Sequence, residues 1–226
     1  MRIGGFQALT LSDYPGHMAS IVFTQGCNFR CPFCHNGSLL TCDRPLAEQI
    51  DEGRVFDCLR ARAAFLDGVV LSGGEPTIQE DLMAFIERVK TMGLKIKLDT
   101  NGSRPEVLRD LLESRRLDCV AMDIKAPFSK YDRLTGVEAP VEAIRESIAL
   151  LVEGETPCEF RTTFVPSLLS EGDIDEIRSY LPAHTRYTVQ AFVADNALDA
   201  SLRSAAELPR DKTDDIPHHL DWFSGE

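Results

Sequence analysis

The feature that most constrains this fold is a regular alternation of short apolar runs with segments of helical apolar spacing. The runs predict six strands, at 20–26, 68–72, 95–98, 117–122, 159–165 and 186–193. The segments between them predict helices at 55–66, 82–89, 105–114, 141–152 and 173–180. Such alternation implies parallel strands joined by right-handed crossovers. Six units are too few to close an eightfold barrel. We therefore predict an α/β fold, a partial (β/α)6 barrel of parallel strands.

The length of the chain fits one domain followed by a tail. A chain of 226 residues can bury a substantial core, and we predict that this domain covers residues 1–195. Residues 1–19 contain the turn sequences Gly4-Gly5 and Asp13-Tyr14-Pro15-Gly16, which indicate a short hairpin or loop at the bottom or edge of the first strand. Residues 196–226 are acidic, and we expect a short helix with a mobile end.

The composition excludes several classes of partner. A formal net charge of −12 argues against a nucleic-acid surface, which needs a face rich in Lys and Arg. No apolar run is long enough to span a membrane, and the N-terminus lacks the pattern of a signal peptide. Seven cysteines without a secretion signal fit a reducing cytoplasm.

Three of the cysteines lie close together, directly after the first predicted strand. Cys27, Cys31 and Cys34 follow a C-x₃-C-x₂-C spacing that can surround one inorganic centre. On a four-iron cluster, three thiolates leave one iron open for a substrate or cofactor. A zinc site with His35 as fourth ligand is the alternative, but zinc sites usually combine two separated ligand pairs. The spacing favours an iron–sulfur cluster. Three further cysteines look like small packing residues (Cys58, Cys119 and Cys158), while the role of Cys42 stays open.

Polar clusters also follow the next three predicted strands, and Arg161 lies on the strand after those. Ligand sites of parallel sheets form beyond the carboxyl ends of the strands, so these clusters should meet at one rim. They comprise Gly73-Gly74-Glu75-Pro76, Asp99-Thr100-Asn101-Gly102, Asp123-Ile124-Lys125 and Arg161.

Each cluster also has a purely structural interpretation. Glu75 could cap the helix that follows it. Asp99 and Asp123 would repel each other unless a cation or hydroxyl donors lay between them, and both could instead be capping acids. Arg161 at an inward strand position needs an anion, either a ligand carboxylate or a structural salt bridge to Asp123 or Glu75.

The motifs together resemble those of the radical S-adenosylmethionine (SAM) superfamily. The run from Cys27 to Cys34 carries its C-x₃-C-x-Φ-C signature, with Phe33 as the aromatic residue. Residues 1–195 resemble the activating proteins of anaerobic ribonucleoside-triphosphate reductase, in Asp13-Tyr14-Pro15-Gly16, in the run from Thr24 to Asn36, in Gly73-Gly74-Glu75-Pro76 and in Asp99-Thr100-Asn101-Gly102.

This resemblance implies a role for each site residue. The three cysteines would hold a [4Fe–4S] cluster, and Gly73, Gly74 and Glu75 would bind the ammonium group of SAM. Asp99, Asp123 and Lys125 stand where related activases bind a monovalent cation, the ribose hydroxyls and the methionine carboxylate. Arg161 would also meet that carboxylate, and Phe33 would hold the cluster loop and touch the adenine.

The resemblance further implies an activity and its partners. The cluster would cleave SAM reductively into methionine and a 5′-deoxyadenosyl radical, which takes a hydrogen from a glycine of a partner enzyme. Anaerobic ribonucleotide reductase is the implied partner, and reduced flavodoxin or ferredoxin is the implied electron donor. The alternatives are an activase of a pyruvate formate-lyase-like enzyme, a radical SAM enzyme acting on a small molecule, and a non-catalytic metal-binding module.

Overall fold

The computed structural model describes residues 1–41 and 49–204 of the chain. Their strands form one sheet, in which spatial order follows chain order. The strands are β1 (Ile3–Thr10), β2 (Ala19–Thr24), β3 (Gly68–Gly73), β4 (Lys95–Thr100), β5 (Cys119–Asp123), β6 (Cys158–Phe164) and β7 (Tyr187–Ala191). Cys42 and residues 205–226 of the predicted tail lie outside the described ranges.

The strands β2 to β7 pair in parallel, each with the next along the chain. This arrangement confirms the predicted α/β architecture. Within the described ranges the edge strands β1 and β7 do not pair with each other, so the sheet remains an open partial barrel. A lateral opening therefore separates β7 from β1.

The strand β1 pairs antiparallel with β2 and extends the sheet to seven strands. The sequence predicted a hairpin or loop at this edge, and the structure has a hairpin whose first arm is a full strand. Gly4 and Gly5 allow the backbone of β1 to lie close to the side chains of Gln25 and Phe23. A Cβ atom on Gly4 would lie 2.3 Å from Oε1 of Gln25, and one on Gly5 would lie 3.2 Å from the ring of Phe23.

Helices follow the strands at the predicted places, and one further short helix, Tyr131–Thr135, was not predicted. They are α1 (Glu52–Arg62), α2 (Leu82–Lys90), α3 (Pro105–Glu113), α4 (Tyr131–Thr135), α5 (Val141–Glu153), α6 (Glu171–Ser179) and α7 (Ala200–Ser204). Local sequence explains several of their ends: Asp51 caps α1, Pro105 opens α3, and Ser170 and Asp173 form a capping box on α6. None of the described helices is long and apolar enough to span a membrane.

The two faces of the sheet differ in chemistry. The outer face packs the helices onto buried side chains such as Val69, Leu71, Ile96, Leu98 and Val120. The inner face is apolar only near the amino ends of the strands, where a small cluster of Tyr14, Ala19, Ile21 and Val70 fills it. Lys97 pairs in register with Val70 of this inner cluster, so its side chain lies on the inner face. Alternation along the strands and the register between them place four more charged residues on the same face: Asp99, Asp123, Glu159 and Arg161. These charges need partners inside the barrel.

Residues 196–204 return to the barrel after β7. Ala197 is fully buried, Leu202 is largely buried, and the backbone N–H of Asp199 donates to the carbonyl of Pro32 at 2.8 Å. The start of the predicted tail therefore packs beside the cysteine loop. The predicted domain boundary at residue 195 stays a prediction, since the rest of the tail lies outside the described ranges.

Candidate active site

A cavity of about 410 Å³ opens at the carboxyl ends of the parallel strands. Its volume is in the range of small-molecule sites, roughly 300–1,000 Å³. The sequence-predicted residues that line it are Cys27, Cys31, Phe33, Cys34, Gly73, Gly74, Glu75, Asp99, Asp123 and Lys125. Arg161 is the predicted site residue that does not line the cavity. The motifs after four strands thus meet at one rim, as their positions in the sequence indicated.

Backbone hydrogen bonds fix the cysteine loop. The N–H of Gly26 donates to the carbonyl of Leu39 at 2.6 Å, and the N–H of Cys34 donates to the carbonyl of Cys31 at 3.0 Å. The guanidinium of Arg30 donates to the carbonyls of Cys27 and Phe29 at 2.6 and 2.8 Å. The N–H of Phe29 in turn points at Sγ of Cys27, 3.4 Å away. These contacts hold the loop in a curve whose thiols face the cavity.

The environment of the thiols opposes their ionisation. Burial, together with the nearby Glu75, raises the pKa of Cys27 to about 12. Burial also raises the pKa of Cys31 to about 11, although Lys125 partly offsets it. Both side chains are therefore neutral thiols near pH 7, and a metal centre must displace their protons to bind.

The donor set fits a cluster better than a single ion. Three thiols face one cavity, and thiolates are the ligands that iron–sulfur clusters take. In the described part of the chain, no three His, Cys, Asp or Glu side chains converge closely enough to hold one metal ion. His35, the possible fourth zinc ligand, lines the same cavity with its ring 5.9 Å from that of Phe192.

Gly73, which ends β3, and Gly74, which follows it, let the backbone pass close to the cysteine loop. Gly73 has a φ of +111°, and a Cβ atom there would lie 2.5 Å from the backbone N of Thr24. A Cβ atom on Gly74 would lie 1.9 Å from the carbonyl oxygen of Gly26. The carbonyl of Gly73 accepts a bond from Nδ2 of Asn36 at 3.3 Å. Only glycine fits either position.

Glu75 has a carboxylate that is buried and hydrogen-bonded within the protein. Its side chain is 1% exposed and accepts hydrogen bonds from four donors. These are the N–H of Thr77 (3.1 Å), the hydroxyl of Thr77 (2.6 Å), the hydroxyl of Thr100 (2.7 Å) and the N–H of Asn101 (2.7 Å). Burial raises its pKa, against the opposing effect of those donors. Glu75 therefore caps the short helix Pro76–Ile78, as one interpretation held, and also joins the ends of β3 and β4.

Asp99 and Asp123 are bridged by a side chain of this protein. Nε of Arg161 lies 2.9 Å from Asp123 Oδ1, and Nη2 lies 3.5 Å from Asp99 Oδ2. Lys125 contacts the other oxygen of Asp123, with Nζ to Oδ2 at 3.0 Å. Burial disfavours the charge on Asp123, but Arg161 and Lys125 outweigh it and hold its pKa well below the usual range. The structural salt bridge considered for Arg161 is thus present.

Asn101, which lies in one of the predicted rim clusters, donates to Asn28 at 2.9 Å, and Asn28 donates to Ser103 at 2.7 Å, which ties the cysteine loop to the end of β4. Sequence reasoning missed Thr163 and Gln190, which line the cavity from β6 and β7. The alternation of polar residues along β6 was a signal that could have found Thr163.

An open α/β barrel with three thiols beside a polar cavity defines a class of cofactor-dependent enzyme. A model of the radical SAM superfamily matches residues 21–181, more than half of the chain. The chain therefore belongs to the radical SAM superfamily, whose members use a [4Fe–4S] cluster and SAM.

Three relatives illustrate the range of similarity. A protein of Methanocaldococcus jannaschii described as a glycyl-radical enzyme activating enzyme is 32% identical, over 95% of this chain and 88% of its own. A GTP 3′,8-cyclase of Thermococcus kodakarensis is 33% identical over 68% of this chain and 49% of its own. A pyruvate formate-lyase-activating enzyme of Staphylococcus aureus is 29% identical over 74% of this chain and 69% of its own.

A solved structure supports the fold. Coproporphyrinogen III oxidase from Escherichia coli, described as a radical SAM enzyme, superposes with a TM-score of 0.59 at 18% identity. The match covers 88% of this chain and 50% of that structure. The shared region therefore includes most of the partial barrel of the present protein.

Proposed function

We propose that this protein is an activating enzyme that uses SAM to generate a glycyl radical on a partner enzyme. The observation that carries the proposal is that the three cysteines, the two glycines at the end of β3 and the pair Asp123 and Lys125 line one cavity. The similarity to an activating enzyme over 95% of the chain supports the same activity.

Each lining residue has a role in this proposal. Cys27, Cys31 and Cys34 hold the cluster, and the backbone of Gly73 and Gly74 with Glu75 faces the ammonium group of SAM. Because Glu75 already accepts four hydrogen bonds, it acts chiefly by fixing the turn that presents the carbonyl of Gly73.

The charged residues bind the polar groups of SAM, which are the methionine carboxylate and the ribose hydroxyls. Lys125 faces the methionine carboxylate, and Asp99 and Asp123 accept bonds from hydroxyl groups of the ribose. Arg161 belongs to the site by holding both carboxylates, and it can reach the methionine carboxylate only by giving up part of those contacts. Phe33 is 5% exposed and supports the cluster loop with one side against the cavity.

When bound, the cluster and SAM supply the reductive cleavage and the hydrogen abstraction. The chain itself contributes orientation and exclusion of water. Phe29, Phe33 and Leu40 place apolar surface around the thiols in the wall of the cavity.

The finer part of the proposal concerns partners and location. The opening between β7 and β1 is a route by which a loop of another protein can approach the cavity, and we assign the glycine loop of anaerobic ribonucleotide reductase to it. The electron comes from reduced flavodoxin or ferredoxin. The six described cysteines are all free thiols, which supports a reducing cytoplasmic location.

We also propose that a monovalent cation binds near Asp99 and Asp123. The four carboxylate oxygens already contact Lys97, Arg161 or Lys125, so the cation would use remaining lone pairs on the cavity side. SAM should then bind more tightly in K⁺ than in tetramethylammonium at equal ionic strength. Equal dissociation constants in the two salts would remove the cation from the site.

The decisive experiment is formation of the glycyl radical. The anaerobically purified protein is mixed with SAM, a reductant and the reductase, and electron paramagnetic resonance should detect a doublet. The signal should disappear when the glycine of the partner is replaced by Ala, and when Cys34→Ser replaces the wild-type activase. Absence of the doublet with an intact cluster and bound SAM would contradict the proposed activity.

Two other candidates rest on specific similarities. The relative that activates pyruvate formate-lyase favours that enzyme as an alternative partner. A doublet on a formate-lyase but not on the reductase would reassign the partner and keep the activity. The GTP 3′,8-cyclase relative favours a small-molecule substrate, which conversion of GTP without any partner protein would reveal.

A further inference from the structure

A buried lysine lies behind the candidate site and belongs to none of the motifs. The side chain of Lys97 is 2% exposed, on the inner face of β4. Its Nζ lies 2.9 Å from Asp99 Oδ1 and 3.7 Å from Glu159 Oε1. A buried ammonium group is costly unless it is paired, so these two carboxylates are what allow the charge at this position.

These ion pairs continue in both directions. Toward the surface, Glu159 Oε2 lies 3.5 Å from Nε of Arg186. Toward the cavity, Asp99 contacts Arg161, Arg161 contacts Asp123, and Asp123 contacts Lys125. Positive and negative side chains therefore alternate from a half-exposed arginine at the edge of the barrel to a lysine in the wall of the cavity.

The register of the sheet explains how charges on two non-adjacent strands meet. Asp99 on β4 lies opposite Ala121 on β5, and Ala121 lies opposite Glu159 on β6. The small side chain of Ala121 leaves room above β5 on the inner face. Lys97 and Arg161 reach across this gap from opposite sides, each to a carboxylate on the other strand.

We propose that Lys97 and Glu159 are positioning residues for SAM binding, acting through Asp99. This inference rests on the proposed function, because it assigns Asp99 to the cofactor. Lys97 holds Oδ1 of Asp99 while Arg161 holds Oδ2, so the carboxylate has a fixed orientation. Glu159 balances the charge of Lys97 and holds its ammonium group on the inner face.

Loss of Lys97 changes the balance at the site. Asp99 then depends on Arg161 alone, and Arg161 is shared with Asp123. One guanidinium between two partly buried carboxylates cannot fix both as well as the present arrangement does. Asp99 should rotate from its present orientation, and SAM should bind less tightly, although Lys97 does not line the cavity.

The test compares Lys97→Met with Lys95→Met. Methionine keeps most of the apolar stem of lysine and removes its charge, and Lys95 is an exposed residue on the same strand. Iron content and the dissociation constant of SAM are measured on reconstituted protein by anaerobic equilibrium dialysis. For Lys97→Met we expect unchanged iron and about tenfold weaker SAM binding, which corresponds to about 1.4 kcal/mol. Lys95→Met should match the wild type in both.

A double-mutant cycle separates positioning from a merely structural role. In an Asp99→Asn background, Lys97→Met should weaken SAM binding by less than about twofold, because its effect passes through the missing carboxylate. A further tenfold loss in that background, or wild-type SAM binding in Lys97→Met itself, would overturn the proposal. If Lys97→Met does not accumulate as folded protein, Glu159→Gln enters the same cycle, with the same non-additive pattern expected.

These outcomes differ from failure of the proposed function. If the wild-type protein with its cluster does not bind SAM, the proposed function itself fails. If the wild type binds SAM and the cycle is additive, only the positioning role of Lys97 and Glu159 is lost.

Discussion

At the scale of single residues, Glu75 shows how a motif residue can serve structure and function together. Its carboxylate receives four hydrogen bonds from residues 77, 100 and 101 while it lines the cavity. An ionised carboxylate is acceptor-only, so it matches four donors without conflict. The turn that carries Gly73 and Gly74 depends on this match.

Glu75→Gln should therefore destabilise the protein in spite of its similar size. The amide nitrogen would face donors that need an acceptor, and a buried donor without a partner costs about 1–3 kcal/mol. Differential scanning fluorimetry of the reconstituted protein should show a melting temperature several degrees lower. The matched control is Glu80→Gln, at an exposed position, which should melt like the wild type. Equal melting of all three proteins would show that the four bonds contribute little.

Single residues were also the hardest to assign from the sequence. The motifs predicted that Glu75, Asp123 and Lys125 lie at the rim, and all three line the cavity, because each lies at the carboxyl end of a strand or two residues beyond it. Lys97 was missed because an isolated lysine in a strand looks like an exposed residue until the register brings Glu159 across β5. The side chain of Arg161 was predicted to point inward. Whether it pairs with a ligand carboxylate or with Asp123 depends on distances that no sequence pattern gives.

At the scale of elements, the cysteine loop is fixed in shape by several hydrogen bonds within the protein. It begins at the end of β2 and is anchored by backbone bonds to residues 39 and 40. The Arg30 side chain spans two of its carbonyls. Burial raises the pKa of Cys27 and Cys31, so for these two thiols the loop supplies geometry and a bound cluster would supply the driving force for deprotonation.

Substituting any one of Cys27, Cys31 and Cys34 with Ser should abolish stable cluster binding. Each variant removes one of three protein thiolates, and a hydroxyl is a poor ligand for iron–sulfur clusters. Chemical analysis of anaerobically reconstituted protein should fall from about four irons per chain, as one [4Fe–4S] cluster requires, to near zero. Cys58→Ser is the control, since Cys58 lies on α1 and outside the cavity wall. Full iron in a loop variant would exclude that cysteine as a ligand.

Elements were more predictable than residues. The six parallel strands and their main helices follow from apolar spacing, because the side chains that pack between the sheet and the helices recur along both kinds of element. The strand β1 was understated, since its two glycines and its irregular register weaken that pattern. The helix α4 was missed because five residues cannot show a helical period.

At the scale of the whole molecule, the cavity is lined by segments that come from all six parallel strands. Its walls come from the loop after β2, the turn after β3 and the ends of β4 to β7. A ligand that contacts all of these segments connects elements that the partial barrel leaves apart.

SAM should therefore raise the stability of the cluster-bound protein as a whole. At a concentration one hundred times its dissociation constant, a ligand adds about 2.7 kcal/mol to the free energy of unfolding. The melting temperature should rise with SAM concentration in the wild type. At the same concentration it should rise much less in Asp123→Ala, which loses a proposed contact. Asp175→Ala, at an exposed position on α6, is the matched control and should respond like the wild type. An equal shift in Asp123→Ala would place Asp123 outside the binding contacts.

The anchoring of the cysteine loop has a consequence for recovery from oxygen. The hydrogen bonds from Gly26 to Leu39 and from Arg30 to its neighbouring carbonyls join protein atoms only. We therefore expect the loop to keep its backbone shape when oxygen destroys the cluster. Iron and sulfide added under anaerobic conditions should then restore the iron content of air-exposed protein without a refolding step.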